Sequence, residues 1–471
     1  MLTFRHCEDK INSQERNLEV FLEFTTYEKG NTMLIEFTVG NYRSFSAPMM
    51  LTMQATPLRD NEEIDRQNIF VAGKLSLLRS AAIYGANASG KSNLVHAMMF
   101  MREFVLNSVT KLQSGEPTGA ERFALNTAAR EEPASFQIVF LIDGIRYRYG
   151  YELDEERVLG EWLYRTVKKE TRLFVREGKN FDISTPFKKE AGSLQRQTRE
   201  NSLFLSVLAQ FNSPIAIALL DWFRNKFHGI SGLNDQAYGG YTLHRFETEE
   251  NFRQRVREMM RMADVGITDL SIKKIPFDNA EMPEEVRDIF KKIAQREGKT
   301  ESQISVTKLE TIHPIYEGEQ QVDTANFELS DQESEGTQKL FFLLGPLFDT
   351  LENGNVLFID ELEARLHPLL TREIVRLFNS LQTNPHNAQL IFATHDAGLL
   401  GECLLRRDQI WFTEKNRYGA TELYSLAEMK ERNDASFDKN YLAGRYGATP
   451  YLGGLRALME QQTQYGETIE A

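Results

Sequence analysis

Cysteine is nearly absent from this sequence, because only Cys7 and Cys403 occur among its 471 residues. Two cysteines so far apart in the sequence cannot form a disulfide framework or a Cys-x-x-Cys metal-binding motif. So few cysteines are compatible with a reducing compartment. No run of 18 or more apolar residues occurs, so no membrane-spanning helix is expected. The N-terminal stretch also lacks the apolar segment of a signal peptide. These absences predict a cytoplasmic protein.

Positive charge is scarce relative to negative charge, since 55 Lys and Arg residues stand against 68 Asp and Glu residues, a net charge of −13. This balance argues against nucleic acid wrapping around the whole surface, although binding through a local basic patch remains an alternative. An apolar content of 41% and a charged content of 26% are typical of globular proteins. The length accommodates one large core or two to three units.

One stretch fits the phosphate-binding pattern G-x-x-x-x-G-K-[ST] at every fixed position; it consists of Gly85, Ala86, Asn87, Ala88, Ser89, Gly90, Lys91 and Ser92. Apolar residues before it predict a buried strand, and residues 93–105 predict an amphipathic helix, which is the context that the motif needs. The loop N–H groups would face phosphate, Lys91 would contact the outer phosphates, and Ser92 would offer a hydroxyl to Mg²⁺. The stretch therefore predicts a nucleotide site.

Two more predicted strands supply polar groups to this site. Residues 355–361 form an apolar run that ends in Asp360, which would hold Mg²⁺ directly or through water, and Glu361, which would polarise the attacking water. His395 follows the apolar run 389–393, and its imidazole would hydrogen-bond the γ-phosphate or the attacking water. Strand ends often carry acids and loops often carry histidines, so these assignments depend on the phosphate loop upstream.

A second anion-binding helix start is predicted in front of the acidic strand. Ser334 and Gly336 open a helix whose apolar residues extend to Leu351, and its first N–H groups would face an anion. One ATP needs only one such cradle. A second cradle indicates that two subunits each contribute one, which predicts a homodimer closed over the γ-phosphate.

The region between the phosphate loop and this helix start predicts an antiparallel sheet followed by helices. Asp143-Gly144 is a preferred hairpin turn between strands 136–142 and 145–153. Alternate tyrosines in the second strand favour a half-buried sheet face over base stacking. Helices are expected at residues 216–227, 249–263 and 283–297.

Two basic regions have alternative interpretations. Arg253, Arg257 and Arg261 form a stripe on a predicted helix, and an ion-paired or solvated stripe is favoured over a nucleic-acid or partner contact. A second basic region carries the same alternatives; its members are Lys168, Lys169, Arg172, Lys188, Lys189, Arg196 and Arg199.

In this order the motifs resemble the ABC-type ATPase heads of the SMC/RecF/OLD group. Ser334-Glu335-Gly336 resembles the signature, residues 356–361 the Walker B strand and His395 the switch histidine. The run from Glu363 to Pro368 is similar to the Glu-x-x-x-His-Pro run of stand-alone members. Residues 41–45 and 441–447 resemble the corresponding segments of RloA-type and PARIS AriA-type bacterial anti-phage defence ATPases.

The resemblance implies an α/β P-loop ABC-type ATPase head with an antiparallel β lobe and a helical insertion. It also implies ATP and Mg²⁺ as cofactors and ATP hydrolysis as the reaction. The expected segments are an extension (1–32), two halves of the head (33–200 and 301–455), a helical insertion (201–300) and a tail (456–471). The signature departs from Leu-Ser-Gly-Gly-Gln, and the Q-loop has two alternatives, Gln137 and Gln210. About 75 residues follow His395, which we expect to be too few for a TOPRIM nuclease domain.

Three functions are compatible with such a head. The first is an ATP-hydrolysing switch of an anti-phage (abortive-infection) system, which senses a phage protein or DNA. It would control an effector encoded by a neighbouring gene, a TOPRIM-like nuclease in the expected case. The alternatives are a RecF-like DNA-binding repair clamp and an ATP-gated scaffold with little turnover.

Overall fold

The described part of the chain covers most of the predicted head. The computed structural model describes residues 32–450, except 235, 264–265, 278–283, 285–286, 289–290, 293–304 and 402–403. The predicted extension up to residue 31, the predicted tail 456–471 and two thirds of the predicted helix 283–297 lie outside the described residues, as do Cys7 and Cys403.

The strands are numbered here in chain order. They are β1 Thr32–Gly40, β2 Met49–Thr52, β3 Ile69–Ala72, β4 Leu75–Leu78, β5 Ser80–Gly85, β6 Ala134–Ile142, β7 Ile145–Leu153, β8 Val158–Thr166, β9 Glu170–Glu177, β10 Asn180–Ile183, β11 Phe227–Ser231, β12 Asp269–Pro276, β13 Ser305–Glu317, β14 Gln320–Glu328, β15 Val356–Asp360, β16 Gln389–Ala393, β17 Ile410–Lys415 and β18 Thr421–Ser425.

The described α-helices are numbered in the same way. They are α1 Glu62–Asn68, α2 Lys91–Asn107, α3 Lys188–Ala191, α4 Phe204–Gln210, α5 Pro214–Asn225, α6 Gln236–Thr248, α7 Glu250–Met262, α8 Leu329–Gln332, α9 Glu335–Asn353, α10 Pro368–Asn379, α11 Gly398–Gly401 and α12 Phe437–Leu442.

The described residues fall into two compact units. The smaller unit contains Asn234–Asp349 and Arg365–Leu370, and the larger contains residues 32–233, Thr350–Ala364 and residues 371–450. The segment boundaries expected from the sequence, at residues 32, 200, 300 and 455, stay predictions.

The larger unit contains a seven-stranded antiparallel sheet of order β10-β9-β8-β7-β6-β1-β2. The predicted hairpin between β6 and β7 is confirmed, with Asp143 at φ 50° and Gly144 at φ 76°, as a type I′ turn requires. Tyr149 and Tyr151 are fully buried in the core below this sheet. The tyrosine row is therefore packing surface, and no ring face is left for stacking a base.

The same unit contains a second sheet that carries the predicted nucleotide motifs. Its order is β11-β15-β16-β5-β17-β18, and the strands from β11 to β17 run parallel. Strands β5, β15 and β16 are buried at every residue, which explains their uninterrupted apolar sequences. Parallel strands end at one edge of a sheet, so Gly85, Asp360 and Ala393 lie at the same edge.

The smaller unit combines a three-stranded antiparallel sheet, β12-β13-β14, with α6, α7 and α9. The arginine stripe lies on α7 and is ion-paired, as the sequence favoured. Arg253 contacts Glu250 at 2.7 Å, while Arg257 and Arg261 share Asp269 at 3.0 and 3.6 Å. The arginine stripe therefore connects α7 to the first residue of β12 and forms one ion pair within the first turn of α7.

Among the described residues no single helix is long and apolar enough to cross a membrane. Two consecutive helices reach the length and apolar composition of a membrane span only when they are counted together. They are Phe204–Gln210 and Pro214–Asn225, and the chain is bent by 108° at the break between them.

Candidate nucleotide site

The phosphate loop connects β5 to α2, as the sequence predicted. Its two glycines are sterically required, because a Cβ on Gly85 would lie 2.4 Å from the hydroxyls of Ser89 and Thr413. Gly90 has φ 117°, and a Cβ there would lie 2.2 Å from Thr421 Oγ1. Ala88 also adopts a left-handed backbone, at φ 62°. The backbone therefore curls tightly enough for its N–H groups to surround an anion.

Lys91 lies inside this curl. Its ammonium donates to the carbonyls of Gly85 at 2.9 Å and Ala86 at 3.2 Å, and the residue is only 6% exposed. Burial lowers the pKa of Lys91, an effect opposed by the carboxylates of Asp360, Glu363 and Glu361. A buried ammonium held by two carbonyls is poised to exchange them for phosphate oxygens, which are stronger acceptors.

Ser92 and Asp360 are brought together from distant parts of the chain. The Ser92 hydroxyl donates to Asp360 Oδ1 at 3.1 Å. One hydroxyl and one carboxylate in contact at the sheet edge are the ligand types that Mg²⁺ takes in P-loop ATPases. The donor set therefore fits a magnesium ion bound together with a nucleotide.

Polar side chains that the sequence did not single out hold the loop in shape. Thr421 Oγ1 donates to the Ser89 carbonyl and contacts Ser44 Oγ, at 2.7 and 2.8 Å. Asn93 Nδ2 donates to Ser44 Oγ at 2.7 Å, and Thr413 Oγ1 lies 2.7 Å from Ser89 Oγ. The one available sequence signal was Ser44, which lies in the segment 41–45 that resembles a family motif.

Glu361 begins a constrained turn after β15. It has φ 55°, a left-handed conformation that side chains other than glycine adopt at a cost and that concentrates at functional sites. Gly232 donates its N–H to the Asp360 carbonyl at 2.7 Å. A Cβ on Gly232 would lie 2.1 Å from the Glu361 carbonyl oxygen, so any other residue would displace this turn.

His395 lies at the same edge, directly after β16, and a neighbouring carboxylate holds its backbone. Glu363 Oε1 accepts the His395 N–H at 2.5 Å, and the Leu362 N–H donates to the Ala393 carbonyl at 3.2 Å. Partial desolvation and the nearby Lys91 ammonium lower the pKa of His395. The imidazole is therefore neutral at pH 7 and can either donate or accept a hydrogen bond. The sequence did not assign Glu363 to the site.

Ser334 and Gly336 lie in the smaller unit, at the start of α9. Ser334 Oγ accepts the Thr337 N–H at 3.1 Å, which makes it the helix N-cap. A Cβ on Gly336 would lie 2.7 Å from the Arg365 carbonyl oxygen. The predicted helix start is therefore present, and its contact with a partner's nucleotide stays a prediction. Gln137 accepts from Trp162 Nε1 at 3.0 Å within the antiparallel sheet.

A buried parallel sheet, a phosphate loop and an acidic strand at its carboxyl edge define a P-loop nucleotide-binding ATPase of the ABC type. The family model "AAA domain, putative AbiEii toxin, Type IV TA system" matches residues 80–401. This range covers more than half of the chain, which therefore belongs to that family. The fold class and the resemblance to ABC-type ATPases of the SMC/RecF kind are confirmed, while the narrower resemblance to RloA-type and AriA-type proteins stays a prediction.

Solved structures with similar chains include two SMC heads and a RecF protein. The SMC head domain from Thermotoga maritima is 14% identical, with 83% of this chain and 98% of that chain covered and a TM-score of 0.35. An SMC head bound to the C-terminal winged-helix domain of ScpA is 11% identical (83% and 97% covered, TM-score 0.42). The recombination mediator RecF is 12% identical (84% and 100% covered, TM-score 0.32). No curated protein matches the chain.

Proposed function

We propose that this protein binds ATP with Mg²⁺ and hydrolyses it to ADP and phosphate. The observation that carries this proposal is the contact between Ser92 Oγ and Asp360 Oδ1, 3.1 Å apart, beside the buried Lys91 ammonium. In the proposed roles Lys91 and the loop amides bind phosphate, and Ser92 and Asp360 hold the metal. Glu361 polarises the attacking water, and the neutral His395 contacts the γ-phosphate or that water.

The test compares nucleotide binding with turnover in two variants. Lys91→Ala should weaken ATP binding, because a charge on the phosphates is lost. Glu361→Gln should bind ATP as the wild type does but hydrolyse it at least about a hundredfold more slowly, because water activation is lost. Glu131→Gln, an exposed position remote in sequence from the motifs, is the control and should turn over normally. Wild-type turnover in Glu361→Gln would remove Glu361 from its role.

The same site is proposed to be shared between two subunits. The N-capped start of α9, with Ser334 and Gly336, offers N–H groups to an anion, and it would close over the ATP held by the partner subunit's phosphate loop. ATP binding would then favour a closed homodimer, and hydrolysis would open it. This proposal rests on the presence of two anion-binding helix starts in one chain.

The biological role is proposed to be that of a switch in anti-phage defence. The family's description mentions a putative AbiEii toxin of a type IV toxin–antitoxin system, which supports a role in abortive infection. In this proposal a phage protein or DNA triggers the ATPase, which then captures or releases an effector encoded next door, a TOPRIM-like nuclease in the expected case. A RecF-like repair clamp is the second candidate, since the sequence motifs resemble both.

Co-expression with the neighbouring gene product distinguishes the two roles. A defence switch should yield a stable complex heavier than the ATPase dimer, and the purified ATPase with ATP and Mg²⁺ should leave DNA and tRNA uncut. A repair clamp should instead bind DNA with an affinity that falls as salt rises. Cleavage of nucleic acid by both the wild type and Glu361→Gln would contradict the switch, because a second active site would then exist.

A further inference from the structure

A large cavity opens at one end of the antiparallel sheet, within the larger unit. Its volume is about 740 Å³, inside the range of about 300–1,000 Å³ that ligand pockets occupy. Four chain segments form its walls: the loop after α2, the β7–β8 loop, the β9–β10 turn and the segment that precedes α4. The charged and aromatic lining residues are Glu156, Arg157, Arg176, Lys179, Phe181, Arg196, Arg199 and Glu200.

The walls of this cavity are tied together by hydrogen bonds. Asn201, which is 3% exposed, donates to the carbonyls of Gln113 at 2.7 Å and Glu116 at 3.0 Å. Arg176 is 2% exposed and donates to the carbonyls of Ser202 at 2.7 Å and Gly178 at 2.9 Å. The cavity is therefore preformed, so a ligand would not have to order the loops that contact it.

The lining carries a surplus of positive charge in a chain of net charge −13. Five of its residues are cationic and two are acidic. Lys179 pairs with Glu200 at 2.6 Å, and Arg176 with the buried Glu161 at 3.6 Å. Within the described part of the chain, Arg196 and Arg199 have no carboxylate partner, and Arg199 donates to Ser202 Oγ at 3.1 Å and to the Val109 carbonyl at 2.9 Å. The hydrogen bond from Lys179, helped by the charges of Arg157 and Arg176, lowers the pKa of Glu200.

Two buried acceptors also lie in the walls of this cavity. Asn201 Oδ1 and Gln195 Oε1 have no hydrogen-bond donor among the described residues, and both residues line the cavity. A buried acceptor without a donor is uncommon in folded proteins and calls for a donor from water or a ligand. The cavity thus offers guanidinium groups for an anion and amide oxygens for hydroxyl or amino groups.

We propose that this cavity binds a phosphorylated nucleoside, with the phosphate at Arg196 and Arg199 and the ribose or base towards the amide oxygens. Guanidinium groups match the geometry of phosphate oxygens. Two ligands carry this phosphate group, a free mononucleotide and the end of a nucleic-acid strand, and both present a 5′-phosphate on a nucleoside. The site is separate from the phosphate loop and does not depend on ATP hydrolysis.

The experiment is calorimetric titration of full-length protein that carries Lys91→Ala, so that the phosphate loop has lost its lysine and no competing nucleotide is needed to fill it. The probes are AMP, a 5′-phosphorylated trinucleotide and adenosine. This parent protein should bind a phosphorylated probe with about one site per chain, and the affinity should fall as salt increases. Adding Arg196→Glu or Arg157→Glu should weaken this binding by at least about tenfold. The matched control Lys168→Glu, an exposed cation outside the cavity, should bind as the parent does.

The binding results distinguish a free mononucleotide from a strand end as the ligand, and they test the proposal itself. Binding of AMP identifies a free mononucleotide as sufficient, whereas binding of the trinucleotide alone identifies a strand end. The proposal is overturned if neither phosphorylated probe binds, if adenosine binds as tightly as AMP, or if Lys168→Glu weakens binding as much as Arg196→Glu. Normal ATP turnover in Arg196→Glu would show that such a loss belongs to the cavity and not to the phosphate loop.

Discussion

At the scale of single residues, Glu363 links the turn after β15 to His395. Its Oε1 accepts the His395 N–H at 2.5 Å, while its buried Oε2 has no hydrogen-bond partner among the described residues. Its charge acts on both Lys91 and His395. A carboxylate so placed fixes the position of the His395 loop relative to the turn after β15. Glu363 is therefore a positioning residue.

Two substitutions of Glu363 separate its hydrogen bond from its charge. Glu363→Ala should lower kcat by about tenfold or more with little change in KM for ATP, because the phosphate loop is intact but His395 is no longer held. Glu363→Gln keeps an acceptor oxygen and should restore most of kcat. Steady-state ATPase kinetics measure both. Equal losses in the two variants would assign the effect to charge, and a wild-type kcat in Glu363→Ala would contradict the positioning role.

At the scale of elements, a buried ion pair joins β8 and β9 to the start of α4. Glu161 accepts the N–H groups of Phe204 at 2.6 Å and Leu205 at 2.9 Å and the Tyr149 hydroxyl at 3.0 Å. Arg176 lies 3.6 Å away, and both side chains are almost fully buried. Burial raises the pKa of Glu161, and Arg176 and these donors oppose that rise. The carboxylate thus holds three elements together.

Removing one member of this pair should be strongly destabilising. Glu161→Gln leaves the buried Arg176 charge without its partner, which costs about 3–5 kcal/mol in free energy of unfolding. Adding Arg176→Met should recover part of that loss, because the uncompensated charge is gone. Urea titration followed by circular dichroism measures both. The control Glu200→Gln, in an exposed pair, should leave the urea midpoint nearly unchanged; an equally small shift in Glu161→Gln would contradict this account.

A half-buried histidine on β11 should make stability depend on pH. Burial, assisted by the charge of Arg102, lowers the pKa of His228 from 6.5 to about 3. Because the folded pKa is the lower one, the unfolded chain binds more protons as the pH falls below about 6.5. The free energy of unfolding should therefore decrease towards acid, by at most about 1.4 kcal/mol per pH unit from this residue. His228→Gln should flatten the dependence between pH 6 and 4 in urea titrations, and an unchanged slope would exclude His228 as its source.

At the scale of the whole molecule, the proposed sharing of ATP sites predicts complementation between defective chains. Ser334→Arg should bind ATP but not hydrolyse it, since a bulky cation would block the helix start that is proposed to meet the partner's nucleotide. Lys91→Ala lacks its own phosphate ligand but keeps an intact Ser334. A mixture of the two should regain part of the ATPase activity, because a mixed dimer contains one site with both halves intact.

The readout is ATPase rate against mixing ratio, together with the mass of the ATP-bound species. Activity should peak at an intermediate ratio and stay below half of the wild-type rate. The control is Ser334→Ala, which removes the N-cap hydroxyl without adding bulk and should retain more activity than Ser334→Arg. Full activity of Ser334→Arg alone, in a species of monomer mass, would rule out a shared site.

Local sequence was enough to predict the parts whose chemistry lies in a few consecutive residues. The phosphate loop needs a glycine at Gly90 because the backbone there is left-handed, at φ 117°. The buried parallel strands need continuous apolar runs, and the Asp143-Gly144 turn needs two left-handed residues. Such constraints act through the backbone of one segment, so they are visible without knowing what packs against it.

Tertiary structure alone decided which distant groups meet. Glu363 contacts His395 across two strand ends, Thr421 supports a loop more than 300 residues earlier, and the basic cavity draws its lining from separate loops. In sequence these residues look like ordinary surface charges and hydroxyls. Their roles arise because parallel strands end at one edge and loops gather at one end of a sheet, and neither arrangement leaves a periodic signal along the chain.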